Sequence, residues 1–410
     1  MPYDRTEKLF SKTLSEYRES GRLKGRENVI VGIIPASDGK GPRYLLEGEG
    51  DKPFLRMNAN NYLGMALHPN VVAAEEAAIR QFGIGPGAVR FISGAYAPHV
   101  DLEQRLAKFH ERPAAMIFSS AYAAVMGILP PLIDAQTAVI SDALNHNCII
   151  NAMRLARPKE RRIYPHLDMA ALEKELTEAA NTCDRAIIVT DGVFSMRGDH
   201  APLDRIEEIA KRHDANFKDN VLTVVDDSHG VGALGVSGRG VEEHVSGTVD
   251  LLIATLGKSL GVNGGYVVSS EIIINYLRET SPFYIFSNPI TPGEAAAAKT
   301  ALDILDCPYG AKLLEHLRDM TARFRRGIAA LGYESVAGEH PVTPVMLRST
   351  RRTTKLVRHL HSNGILATGI NYPVVPQGDE EIRFQVSADH TARDIDEALA
   401  VLERWQRPKS

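Results

Sequence analysis

Seven short apolar runs in the middle of the chain constrain it most: residues 115–118, 138–141, 162–164, 186–190, 222–225, 251–254 and 266–269. Several are Val/Ile-rich and lack polar alternation, as strands buried on both faces of a largely parallel sheet must be. Helical stretches such as 169–180 and 203–213 lie between them. The pattern is βαβ-like, and the fold class is α/β.

The remainder divides around that block. Residues 1–55 read as an amphipathic helix over 5–22 and a Gly/Pro-punctuated extended segment. Residues 56–292 form the large α/β domain, entered through a helix over 69–82 with Val71, Ala74, Ala78 and Phe82 on one face. After Pro292 the character changes, and 293–410 reads as a smaller α+β domain. Its helices are expected at 295–305, 312–331, 354–363 and 392–405, and its strands at 343–347 and 382–386.

Composition removes several function classes. In 410 residues, 47 Lys and Arg stand against 51 Asp and Glu, a net charge of −4 without the basic surplus of a nucleic-acid binder. No apolar run approaches the ~18 residues of a membrane span, and residues 1–22 lack the apolar core of a signal peptide. A cytoplasmic protein with no membrane partner is expected. Cys148, Cys183 and Cys307 are odd in number and scattered, which suits neither a disulfide framework nor a zinc site. Gly83-Ile84-Gly85-Pro86-Gly87 follows a helix and not a strand, so it is no dinucleotide fingerprint. His359 and His361 sit two apart on a helix and cannot chelate one metal, and no metal is expected. The run Arg351, Arg352, Lys355, Arg358 reads as a solvated helix face, with coenzyme phosphates as the alternative ligand.

The chemistry gathers at strand ends. Val224-Val225-Asp226-Asp227-Ser228-His229 closes a buried strand with two acids and a histidine, at the edge where open α/β sheets bind ligands. Alone, it fits helix or turn capping equally well. The next strand runs into Thr255-Leu256-Gly257-Lys258. A lysine there is a poor packing choice but suits a Schiff base, for which its pKa must fall. Pyridoxal phosphate needs such a lysine, a carboxylate opposite its ring nitrogen and a phosphate cradle. Asp226 can supply the carboxylate. Ser119-Ser120-Ala121-Tyr122 follows a strand and opens a helix, so its amides can hold a phosphate.

Four segments in order, Ile140-Ser141-Asp142-Ala143-Leu144-Asn145-His146, Asp191-Gly192-Val193-Phe194-Ser195-Met196, Asp226-Asp227-Ser228-His229 and Thr255-Leu256-Gly257-Lys258, resemble the α-oxoamine synthases. These are fold-type I pyridoxal-phosphate enzymes that join an amino acid to an acyl-CoA. The resemblance spans about residues 5–405 and implies a mostly parallel seven-stranded large domain and a smaller C-terminal α+β domain. Asn58-Ala59-Asn60-Asn61-Tyr62-Leu63-Gly64, Arg90-Phe91-Ile92-Ser93-Gly94 and Phe286-Ser287-Asn288 are most similar to the glycine-using member, which implies glycine and acetyl-CoA as substrates.

The resemblance also implies roles. Lys258 would hold the cofactor and move the α-proton, Asp226 would pair with the ring nitrogen, and His229 would reach the ring's phenolic oxygen. His146 would stack on the ring, with Ser195 nearby. Ser120, the amides of Ala121 and Tyr122, and Thr255 would bind phosphate. Ser287 and Asn288 match a segment that reaches the phosphate of a neighbouring subunit, so a homodimer with shared sites is implied. Arg383 would grip the amino-acid carboxylate, for which its planar fork is suited, and Asn60 would lie close to it. Two departures stand out: Arg197, where the family often carries an acid, and an insertion at Asn216–Asn220.

The competing readings are a decarboxylating synthase taking serine or alanine with a longer acyl thioester, another fold-type I reaction such as transamination, and a binding protein that kept the fold without the chemistry.

Overall fold

The computed structural model describes residues 3–20, 23, 26–372 and 374–406. Strand β1 (Ile30–Ile34) pairs antiparallel with β2 (Arg43–Leu46), and β3 (Leu55–Arg56) follows. Next come β4 (Ala114–Phe118), β5 (Thr137–Asp142), β6 (Glu160–Tyr164), β7 (Arg185–Asp191), β8 (Asn220–Asp226), β9 (Leu251–Thr255) and β10 (Gly265–Ser269). These seven make one sheet in the order β4-β10-β9-β8-β7-β5-β6. Only β10 runs antiparallel, to β4 and β9; the other neighbours are parallel. All seven expected strands are present. The central β5, β7, β8 and β9 are buried almost throughout, whereas edge strand β6 alternates exposed and half-buried residues before Tyr164.

Apolar side chains from the two faces of the sheet enter separate cores, one under the helix Ala121–Leu132 and the other under Leu203–His213 and Pro292–Leu305. Pro292 takes the first position of the latter helix, and Thr291 with Glu294 closes its amino end as a capping box. Four parallel strands therefore deliver their carboxyl ends to one edge, at Asp142, Asp191, Asp226 and Thr255.

Strands β11 (Val342–Met346), β12 (Ile365–Leu366), β13 (Thr368–Ile370) and β14 (Glu381–Gln385) complete the strands among the described residues. The order β11-β14-β13 is antiparallel, and β12 pairs parallel with β3. The helices Pro308–Ala330, Thr350–Ser362 and Ala392–Gln406 accompany them. Glu381, Arg383 and Gln385 alternate along β14 and so share one face.

Near the amino end the expected helix is Asp4–Glu19, none of whose residues is buried; residues 21 and 22 of that expectation lie outside the described residues. The segment read as merely extended holds the β1–β2 hairpin. Its first strand, Ile-Val-Gly-Ile-Ile, is exposed on both sides, so neither alternation nor burial marked it. Among the described residues no helix is long and apolar enough to cross a membrane.

Candidate active site

The carboxyl edge of the sheet opens into a cleft with about 710 Å³ of empty space. Its lining is Ser120, Ala121, Tyr122, His146, Cys148, Asp191, Val193, Ser195, Asp226, Ser228, His229, Thr255 and Lys258. Nine residues expected from sequence are thus brought together in one chain. Asp191, Cys148, Val193 and Ser228 join them without having been assigned a role.

Each wall is set by local structure. Ser120 is the N-cap of Ala121–Leu132, its Oγ accepting the Ala123 amide at 3.0 Å. A Cβ on Gly265 would lie 2.3 Å from the Ala121 nitrogen, so only glycine lets β10 pass this close to the helix amino end. His146 is the N-cap of Asn147–Ala156, with Nδ1 accepting the Cys148 amide at 3.3 Å. Its own amide donates to Asp191 Oδ2 at 2.9 Å. Thr255 Oγ1 donates to the Gly264 carbonyl at 3.1 Å and accepts the Gly257 amide at 3.0 Å, stiffening the turn that carries Lys258.

Asp226 and Asp227 diverge as successive strand-end residues do. Asp226 faces the cleft, its Oδ1 accepting the Ser228 amide at 3.1 Å. Asp227 is fully buried away from it, accepting the Val241 amide at 2.8 Å. Gly192, Gly230 and Gly240 crowd its carboxyl so closely that a Cβ on any of them would clash.

The electrostatics follow from burial. Desolvation pulls the Lys258 amine down to about 8, against the opposing attraction of Asp226 and Asp191. Burial, and then the charge of Asp226, hold the Asp191 carboxyl well above the carboxylate range. Burial also keeps His229 neutral, reinforced by Lys258 and Arg383. Desolvation lowers His146, with Asp226 opposing and Lys258 assisting.

Arg383, Asn60, Ser287 and Asn288 stand outside the cleft lining. Arg383 adjoins it, its Nη1 donating to the Ser195 carbonyl at 2.8 Å. The Gln385 amide oxygen accepts from Arg383 Nε and Nη2 at 2.8 and 2.7 Å while its nitrogen donates to the Met57 carbonyl at 3.0 Å. Sequence reasoning missed Gln385 as the residue that orients this guanidinium; its place two residues along the strand was the available signal. Asn60 Oδ1 lies 3.4 Å from the Tyr62 hydroxyl, which in turn lies 2.7 Å from His229 Nδ1. Ser287 is half-buried and Asn288 exposed. Arg197 pairs with Asp199 at 2.7 Å, and Asn220 begins β8. Among the described residues no group of three or more His, Cys, Asp or Glu could hold a metal ion.

The cleft suits a phosphate-bearing aldehyde. The amides of Ala121 and Tyr122 open a helix and find no acceptor among the described residues, a ready anion seat. The Ser228 hydroxyl is buried in the lining without a partner. Lys258 and Asp226 supply the amine and the carboxylate that the aldehyde and a pyridine nitrogen require.

Comparison with known proteins agrees. Residues 52–402 match the family described as aminotransferase class I and II. An 8-amino-7-oxononanoate synthase of Thermosipho melanesiensis is 36% identical over 398 residues, 97% of each chain. The 2-amino-3-ketobutyrate coenzyme A ligase of Escherichia coli is 40% identical over 350 residues, 84% of this chain and 86% of that one. The chain belongs to the α-oxoamine synthases. Among solved structures, serine palmitoyltransferase of Sphingomonas wittichii superposes with a TM-score of 0.85 at 26% identity, covering 98% of this synthase and 97% of that chain. The enzyme from S. paucimobilis, solved with bound PLP and myriocin, has a TM-score of 0.86 at 26% identity, covering 98% and 97%. This synthase is therefore a pyridoxal-5'-phosphate-dependent acyltransferase of fold type I.

Proposed function

We propose that the enzyme condenses glycine with acetyl-CoA, giving 2-amino-3-ketobutyrate and free coenzyme A. The observation that carries the condensation is the joint presence in one cleft of Lys258, Asp226 and His146, with Arg383 fixed at its side by Ser195 and Gln385.

Bound pyridoxal phosphate supplies an electron sink for the pair left when glycine loses its α-hydrogen. Lys258 removes that proton, since an amine held near 8 is free in a useful fraction at neutral pH. Asp226 would keep a proton on the ring nitrogen, and His229 would donate to the phenolic oxygen. His146 would cover the ring face and exclude water. The amides of Ala121 and Tyr122, with Ser120 and Thr255, would hold the phosphate; to donate there, Thr255 would exchange its bond to the Gly264 carbonyl. Arg383 binds the glycine carboxylate, with Asn60 beside it. The glycine α-carbon would bond to the acyl carbonyl carbon as the carbon–sulfur bond breaks, the pair of that bond leaving on the thiolate, which takes up the proton that Lys258 removed.

The same cleft supports a second reading, in which serine or alanine condenses with a longer acyl thioester and loses its carboxylate. The relatives named 8-amino-7-oxononanoate synthase, whose product is a nine-carbon amino keto acid, favour it. The glycine reading rests on the Asn60 and Arg90 segments and on the ligase of comparable identity. A pocket wall discriminates a methyl by only about 1–3 kcal/mol, so substrates must be compared directly. Amino acids crossed with acyl-CoA lengths test both: glycine with acetyl-CoA should give the highest kcat/KM, and serine or alanine with a long chain doing so would overturn the glycine reading alone.

We also propose a homodimer with shared sites. Phe91, Ile92 and Phe286 are 64%, 67% and 74% exposed, and the Phe91 and Phe286 rings lie 6.4 Å apart. This apolar patch adjoins Ser287 and Asn288, and patches of this kind mark contact surfaces. The helix Asp4–Glu19 adds Leu9, Phe10 and Leu14, all exposed.

A further inference from the structure

Cys148 is buried in the floor of the cleft, in the first turn of the helix Asn147–Ala156. Its backbone amide donates to His146 Nδ1 at 3.3 Å. That nitrogen is therefore unprotonated, and the ring proton of neutral His146 sits on Nε2. Cys148 Sγ lies 2.9 Å from the same Nδ1 and 3.7 Å from Asp226 Oδ2. One thiol proton thus faces two acceptors, on the ring-covering histidine and on the carboxylate opposite the ring nitrogen. The thiol stays a donor, because burial and then the charge of Asp226 drive its pKa upward.

We propose that Cys148 is a positioning residue for the cofactor, its S–H linking His146 to Asp226 so that the face and the nitrogen of the ring are held together. The inference rests on the roles proposed above for those two residues. An apolar plug of the same size would fill the floor equally well but would leave Asp226 Oδ2 without this donor.

The test uses holoenzyme without substrates and reads two quantities, the PLP dissociation constant and the pH at which the visible absorption band of the bound cofactor titrates. Cys148→Ser and Cys148→Ala differ by one oxygen and share the same packing loss. Cys148→Ser should stay within about twofold of the unaltered enzyme, while Cys148→Ala should weaken PLP about three- to tenfold, the scale of one modest hydrogen bond, and displace the titration. Cys148→Thr against Cys148→Val repeats the comparison with the volume restored. Equal behaviour within both pairs would overturn the proposal. Asp226→Asn is measured alongside: if it leaves affinity and titration unchanged, the reading of Asp226 has failed, whereas a large change there with equal Cys148 pairs overturns the Cys148 proposal only.

Discussion

Asp191 and Asp226 end adjacent parallel strands in register, and both carboxyls line the same cleft as Lys258. Two acids so placed beside one amine are not equivalent: burial, and then the charge of Asp226, hold the Asp191 carboxyl well above the ordinary carboxylate range. Asp191 then acts through His146, whose amide it accepts.

Asp191→Asn should therefore retain PLP affinity and turnover within about threefold, because an amide accepts the same bond. Asp191→Ala should lose about 1–3 kcal/mol through the unanchored His146 amide. Equilibrium PLP titration of both variants checks this. A loss in Asp191→Asn as deep as in Asp191→Ala would show that a negative charge is needed.

Lys258 gives a pH dependence with a definite sign. Its amine reacts with an aldehyde only when unprotonated, and burial lowers its pKa to about 8. Covalent PLP capture by apoenzyme should quicken as pH rises through about 8 and level off above it. Stopped-flow absorbance would contradict the assignment if the rate still climbed towards 10.5, the ordinary lysine value. Lys258→Ala should abolish capture and turnover while the fold remains.

The neighbouring aspartates separate chemistry from structure. Asp226→Asn should lose most of kcat, whereas Asp227→Ala should lower stability by about 1–3 kcal/mol, through the freed Val241 amide, and leave the cofactor's absorption band in place. Thermal unfolding and spectra of both variants decide it; an Asp227→Ala enzyme of normal stability but altered band would exchange the roles.

His166 links stability to pH. Burial opposes its charge, but bonds to Asp142 at 3.0 Å and Asp199 at 3.2 Å prevail and raise its pKa to about 9. A raised folded pKa means the stabilisation is complete below 6.5, the unfolded value, and is lost as pH rises through about 9. Thermal melts of His166→Gln should show a smaller decline across that window than the unaltered enzyme; identical slopes would refute the linkage.

The large sheet was legible because its central strands are buried on both faces, which leaves uninterrupted apolar runs such as 186–190. The β1–β2 hairpin was not, since Ile30–Ile34 is exposed and broken by Gly32. In the cleft, Lys258 beyond its strand and the helix opening at Ser120 could be picked out from chain order, which also drew Asp226 in as the carboxylate the lysine needs, whereas His146 came from the family resemblance. Gln385 could have been found from its place two residues along the strand from Arg383, but its bond to the Met57 carbonyl and the approach of Cys148 to Asp226 join positions distant in sequence, which no local pattern encodes.

The most direct measurement of the central claim is thiol release from acetyl-CoA as glycine is added to holoenzyme. Condensation at Lys258 predicts free coenzyme A formed one-for-one with an amino ketone, dependent on both substrates and absent in Lys258→Ala. If no amino acid paired with any acyl-CoA releases thiol, while the holoenzyme passes an amino group to a keto acid, the cleft performs transamination and the account is wrong.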